Sequence, residues 1–166
     1  MRRKSFEDKN CSLAQTLEVV GEWWTMLIIR DCLLGVTRFE DFHNRLGISR
    51  NILTDRLDYL VERGVLTRVP YQAHPVRNDY RLTDKGRDLW HALTALREWG
   101  DRWVAPDGAP LVLEHTGCHH PTTVVPTCSS CGETLDLHSV RARPGPGAKR
   151  RPAWGFPVDD QSQAVH

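Results

Sequence analysis

The sequence predicts a mainly α-helical fold with one small β-hairpin, followed by a small zinc-stabilised module and a disordered tail. Three observations carry that expectation. Apolar residues recur every three or four positions between Leu13 and Leu60, short strand-like runs replace them after Gly64, and cysteines and histidines cluster between His115 and Cys131. At 166 residues the chain can bury one core without disulfides and still carry an appendage. Its first residues, "MRRKSFEDKNCSLAQ", are polar, and no apolar run reaches the roughly 18 to 20 residues that span a bilayer. The expectation is a cytoplasmic protein with no membrane contact and reduced thiols. In that setting clustered cysteines bind metal or do redox chemistry more often than they form structural bridges.

Between Leu13 and Leu34 the residues Leu17, Val20, Trp24, Leu27, Ile28 and Leu34 fall on one buried face, punctuated by Gly21 and Gly35. The next helical piece, "RFEDFHNRL", buries Phe39, Phe42 and Leu46 and stops at Gly47, a residue suited to the left-handed turn that ends a helix. A third helix starts at once. Ser49 is placed to cap it, Ile48 to staple against Leu53, and Leu53, Leu57 and Leu60 form its inward stripe up to Gly64. Its outward arc holds Arg50, Asn51, Thr54 and Asp55, with no apolar member. Two helices joined by a tight glycine turn, the second with a polar N-terminal face, make a helix-turn-helix.

"VLTRV" and "YRLT" read as strands around a polar loop, "PYQAHPVRND", with Arg77 near its tip, which makes the hairpin a wing. A long helix follows from a Thr83 cap. Leu89, Leu93, Leu96 and Trp103 share one stripe on it, flanked by Trp90 and Trp99, more apolar surface than a small core needs, so a dimer interface is expected there. Domain boundaries follow from these breaks: an N-terminal arm at 1–10, a winged helix-turn-helix at 11–104, a zinc-ribbon-like module at 111–140 beyond the Pro/Gly break, and a disordered, basic, Pro/Gly-rich tail at 141–166. Net charge is only +1, but Arg2, Arg3 and Lys4 at one end and Arg141, Arg143, Lys149, Arg150 and Arg151 at the other leave both extremities basic.

From "CSLAQTLEVVGEWW" through "LGISRNILTDRLDYLVERGVL" to "YQAHPVRNDYRLTDKGRDL" and "LREWG", the chain resembles the HxlR family of winged helix-turn-helix transcription regulators. The resemblance runs from about Cys11 to Trp103. It implies a homodimeric DNA-binding regulator, more often a repressor, acting on pseudo-palindromic double-stranded operators, and the C-terminal extension is similar to that of many actinobacterial members. The sequence departs from the family pattern at Asp55, where many members carry Gln, and at Asn78, where the wing usually holds an apolar or aromatic residue.

The residues themselves suit that chemistry. Arg50 can give two parallel hydrogen bonds to a guanine edge, Asn51 can pair with adenine, and Asp55 can accept from a cytosine amino group, while Thr54 and Ser49 suit phosphates or a thymine methyl. Arg77 would enter the adjacent minor groove. An isolated polar arc is more often just a solvated helix face; the preceding turn and the wing tip the balance. No nucleophile–base pair, paired carboxylates or phosphate loop points to an enzyme.

Cys118, His120, Cys128 and Cys131 offer three sulfurs and one nitrogen, the set of a closed, structural zinc site with one ion per chain. His115, His119 or His138 can replace His120, and a Cys128–Cys131 disulfide or an inert cluster are the rivals. Two inputs compete as the signal. An oxidant or electrophile can modify Cys11, just before the first helix, where the family often places a sensing cysteine; an apolar small molecule can bind among Trp23, Trp24, Trp90 and Trp99. The second class of function is a protein- or RNA-interaction module built on the zinc knuckle, with the winged helix as a docking scaffold.

Overall fold

In the computed structural model the described residues are Ser5, Phe6 and 8–148. Arg2, Arg3, Lys4, Lys149, Arg150, Arg151 and most of the expected disordered tail lie outside them. The element order is α1 (Ser12–Val20), α2 (Trp23–Leu33), α3 (Phe39–Leu46), α4 (Arg50–Glu62), β1 (Leu66–Gln72), β2 (Arg77–Leu82), α5 (Asp84–Trp103), β3 (Leu113–His115) and β4 (His120–Thr122). The chain divides into two compact units, Val19–Val124 and Met1–Glu18 with Val125–His166. Among the described residues no helix is long and apolar enough to cross a membrane.

The first helical stretch breaks at Gly21, and the Glu22 side chain restarts it by accepting from the Thr25 amide at 3.1 Å. This break corrects the expected apolar face. Val20 and Ile28 are buried and Trp24 and Leu27 half-buried, but Leu17 is exposed on α1 and Leu34 is exposed just past the end of α2. The core instead gathers Val20, Ile28, Ile29, Phe42, Ile48, Leu53, Leu57, Leu60, Val65 and Leu66.

One charge sits at its edge. The Asp31 side chain is fully buried and meets Arg30 at 2.8 Å and Arg45 at 3.3 Å, while its backbone oxygen accepts from the Val36 amide. Two guanidiniums compensate the desolvation that would otherwise make a buried carboxylate costly, and they fasten α3 to α2.

The joint between α3 and α4 forms as the sequence expects. Gly47 takes φ +65°, a conformation that strains any residue with a Cβ, and its amide closes on the His43 carbonyl. Ser49 then caps α4 by accepting from the Ile52 amide, with Ile48 and Leu53 both buried behind it.

The wing is longer than the sequence suggests. β1 and β2 pair antiparallel from Leu66↔Leu82 to Pro70↔Asn78, a bulge follows, and Gln72 faces Arg77. Ladder hydrogen bonding has absorbed most of the expected loop, so the turn shrinks to 73–76 and Arg77 is the first residue of β2 rather than a loop-tip residue. Arg38 makes an isolated antiparallel bridge to Asp79, and the Thr37 carbonyl accepts from the Tyr80 amide, so the segment before α3 lies against β2.

Thr83 caps α5 by accepting from the Gly86 amide at 3.2 Å. The dimer stripe expected along this helix is split. Leu89 and Leu93 pack against the chain's own core, whereas Leu96, Trp99 and Trp103 are exposed. The helix begins so close to β1 that a Cβ on Gly86 would lie 2.3 Å from the Val65 carbonyl oxygen and 2.8 Å from Leu82 Cδ2. Gly86→Ala should therefore lose about 1 to 3 kcal/mol despite the better helix propensity of alanine, read as a lower urea midpoint with an unchanged slope. A gain in stability would show that α5 can draw away from β1 freely.

Candidate nucleic-acid interface and metal ligands

Burial of Leu53, Leu57 and Leu60 turns the opposite side of α4 outward, and Ser49, Arg50, Asn51, Thr54 and Asp55 are all exposed there. Arg50 is not loose. Its guanidinium grips Glu40 of α3 with two parallel hydrogen bonds, Nη1 to Oε1 at 2.8 Å and Nη2 to Oε2 at 2.7 Å, and lies 5.6 Å from the Phe39 ring centroid. This fork holds the Glu40 carboxyl below the ordinary carboxylate range, with the positive fields of His43 and Arg77 adding to it. The fork is thus intact at neutral pH and opens only as pH falls through that lowered range.

Glu40 is the residue that sequence reasoning missed. It stands ten positions before Arg50, across a turn, so no helical or strand periodicity links them. Yet it is the partner that holds the guanidinium at the N-terminus of α4 in place. The wing is tied to α4 as well. Arg68 of β1 forms an ion pair with Asp58, and Arg56 of α4 reaches Glu22 at 3.3 Å. Toward the turn of the wing, the Arg38 guanidinium lies 4.7 Å from the Tyr71 ring centroid.

Cysteines and histidines of the predicted metal site occupy two turns. The first joins β3 to β4: His115 Nδ1 lies 3.3 Å from Cys118 Sγ, His119 Nδ1 3.0 Å from Glu114 Oε1, and His120 Nδ1 2.7 Å from the Cys118 carbonyl oxygen. In the second, the Cys128 amide donates to the Glu133 carbonyl and the Gly132 amide to the Cys128 carbonyl. Backbone N–H groups of Cys131 and Ser130, together with the Cys131 thiol, lower the pKa of the Cys128 thiol. Three thiols and several imidazoles are a donor set that zinc favours. They come as pairs: among the described residues no three His, Cys, Asp or Glu form a ready metal-holding group.

Of the remaining thiols, Cys11 is half-buried with its carbonyl accepting from the Gln15 amide, so it stands at the head of α1. Burial, and then the Asp31 charge, push the Cys32 thiol up to about 12. Among the tryptophans expected to line a cavity, Trp23, Trp90 and Trp99 are exposed and Trp24 packs on the core.

The chain matches the model of the HxlR-like helix-turn-helix family over residues 19–108. It is 43% identical over 141 residues to an HTH-type transcriptional regulator of Mycobacterium tuberculosis, covering 84% of this chain and 89% of that protein. A match of that length in a chain of 166 residues takes in the two cysteine turns wherever it begins. Among solved structures, PA1607, a proposed transcription factor, is 37% identical with a TM-score of 0.75 over 84% of this chain and 99% of its own. The redox regulator HypR in its reduced form is 29% identical with a TM-score of 0.52, over 55% of this chain and 92% of its own.

The thiol environments fix an order of reactivity. At pH 7 with chelator present, iodoacetamide should label Cys128 well before Cys32, because only thiolate reacts and burial holds Cys32 neutral. Mass spectrometry of the labelled peptides reads this directly, and Cys32 should label only in denaturant. Equal rates in the native protein would contradict its burial.

Proposed function

The chain belongs to the HxlR-like helix-turn-helix family of transcriptional regulators, and from that premise we propose that it binds double-stranded DNA sequence-specifically as a homodimer, repressing from a pseudo-palindromic operator. The observation that carries this reading is the polar arc of α4, Ser49, Arg50, Asn51, Thr54 and Asp55, turned outward by the full burial of Leu53, Leu57 and Leu60. A helix with its apolar side fully buried offers its polar arc to the major groove, and the wing strand offers a cation to the backbone or minor groove beside it. Arg50 and Asn51 read base edges, Asp55 accepts from cytosine, and Ser49 and Thr54 anchor phosphates.

Glu40 gives this readout a threshold. A guanine O6/N7 edge must displace a bidentate carboxylate to take Arg50, whereas a phosphate reached only through water need not. Arg50→Ala and Asn51→Ala should each lose about 1 to 3 kcal/mol of specific binding and relax base preference, with Arg77→Ala weakening binding more evenly across sequences. Glu40→Gln should raise affinity for the selected operator more than for random DNA, because only the base contact has to displace the carboxylate. Titrations on operator and random duplexes at several salt concentrations separate these cases, and an operator affinity unchanged in Arg50→Ala would remove Arg50 from the readout.

The dimer is proposed to use the exposed part of α5, Leu96, Trp99 and Trp103, rather than Leu89 and Leu93, which are engaged by the chain's own core. Bulky aromatics left in water at the end of a long helix favour a second apolar surface. Trp99→Glu with Trp103→Glu should shift a light-scattering mass at micromolar concentration from two chains to one; a monomeric parent protein would end the proposal.

The C-terminal turns are proposed to bind one structural zinc per chain through Cys118, Cys128, Cys131 and a histidine. That ion would supply folding free energy to a segment in which, among the described residues beyond β4, only Val124, Cys128 and Leu135 are half-buried. Cys11, at the head of α1, is the proposed point of oxidant or electrophile input; the redox description of HypR favours it over an apolar ligand.

A further inference from the structure

The sequence puts only polar residues on the outward arc of α4, and the structure adds one that is not. Ile52 is 40% exposed, whereas Leu53, Leu57 and Leu60 of the same helix are completely buried. We propose that Ile52 is a base-reading residue that packs on the C5-methyl group of a thymine in the major groove. This rests on the DNA-binding reading above and adds an apolar contact to it.

Position on the helix carries the argument. Successive residues of an α-helix are turned by about 100°, so Ile52 lies about 60° round from Asp55 and about 100° from Asn51, on the border of the outward arc. Its neighbours leave that border open. Arg56, one turn further on, is drawn to Glu22 at the start of α2 at 3.3 Å, and Asp58 pairs with Arg68 of β1, which sets the wing toward the other border. A single exposed apolar residue is ordinary on a protein surface. Ile52 differs in standing in the first turn of the helix, among the side chains that meet base edges.

The chemistry of its neighbours leaves one base unread. Arg50, Asn51 and Asp55 match the hydrogen-bonding edges of guanine, adenine and cytosine, and Ser49 and Thr54 anchor phosphates. Thymine alone presents a methyl group in the major groove, and an apolar side chain is what recognises it. Ile52 is also held ready for that contact. Its amide donates to Ser49 Oγ at 3.3 Å, which fixes the first turn. A β-branched residue in a helix keeps essentially one χ1 rotamer, so little freedom is lost when a methyl group packs against it.

The test takes the full chain and an operator selected from random duplexes, and replaces its thymines one at a time by deoxyuridine. That change removes the C5-methyl group and leaves every hydrogen-bonding group in place. Wild type should lose about fourfold in affinity at one thymine of a half-site, the worth of one buried methyl. Ile52→Ala should bind the thymine operator about fourfold more weakly than wild type and be indifferent to that replacement, whereas Thr54→Ser should keep the wild-type sensitivity. Because the ratio of thymine to uracil affinity is taken within one variant, partial unfolding of Ile52→Ala does not alter it. If wild type binds the operator specifically but no thymine is sensitive, or if Ile52→Ala shows the wild-type ratio, or if Thr54→Ser loses it instead, the assignment to Ile52 is overturned and the DNA-binding reading stands. Wild type that binds the operator no better than random duplex would defeat that reading, and this inference with it.

Discussion

Complete burial of Leu53, Leu57 and Leu60 is the constraint on which the putting-together of this domain depends. Each is worth about 1.5 to 3 kcal/mol relative to exposure, and all three lie on one side of α4. Once they seat against Ile28, Ile29 and Phe42, the rotation of α4 about its axis is fixed. Ser49, Arg50, Asn51, Thr54 and Asp55 have no choice but to face outward. The polar arc is thus a by-product of where the leucines go, and the same burial dictates that Val65 and Leu66, immediately after α4, turn inward and start the wing.

Around that apolar seat, charge pairs fasten the pieces. Asp31 with Arg30 and Arg45 joins α2 to α3, Arg56 with Glu22 joins α4 to the start of α2, and Arg68 with Asp58 joins β1 to α4. Only the Asp31 pairs involve a fully buried group, so removing a partner there leaves an uncompensated charge; the exposed pairs contribute little to stability. Arg50 and Glu40 belong to the exposed class. Their value lies in orientation: the fork holds a long, rotamer-rich side chain in one place before DNA arrives, which lowers the entropy to be lost on binding while setting a competitor against it.

The elements legible in the sequence were those whose signal is local. Gly47, Ser49 and Thr83 each act within four residues of themselves, and the turn and caps they specify form as expected. Longer patterns misled where an element ended unseen. The three- and four-residue spacing carried Leu17 and Leu34 into a buried face, but the break at Gly21 and the end of α2 put them outside it. Spacing likewise grouped Leu89 and Leu93 with Leu96 and Trp103, since a stripe does not say which part meets the chain's own core. Arg77 was set near a loop tip because the polar run "PYQAHPVRND" reads as loop; Pro70 is instead a strand residue of β1 and Arg77 of β2. Glu40 was hidden for a different reason. Its partner is chosen by a tertiary turn, which periodicity does not encode.

The bulge in the wing has a consequence for side-chain parity. Leu66 through Pro70 pair with β2 in a single register, but beyond Tyr71 the partner of Arg77 is Gln72, one residue later than the regular ladder would give. Tyr71 is left as the odd residue of the hairpin, and its ring is the one that receives Arg38. The hairpin therefore counts one more residue on β1 than on β2, and that extra residue, Tyr71, offers its ring to Arg38. Insertions or deletions on β1 are not equivalent along its length: before Pro70 a single-residue change inverts the inner and outer faces, whereas at Tyr71 it merely removes or restores the extra residue that the strand already tolerates.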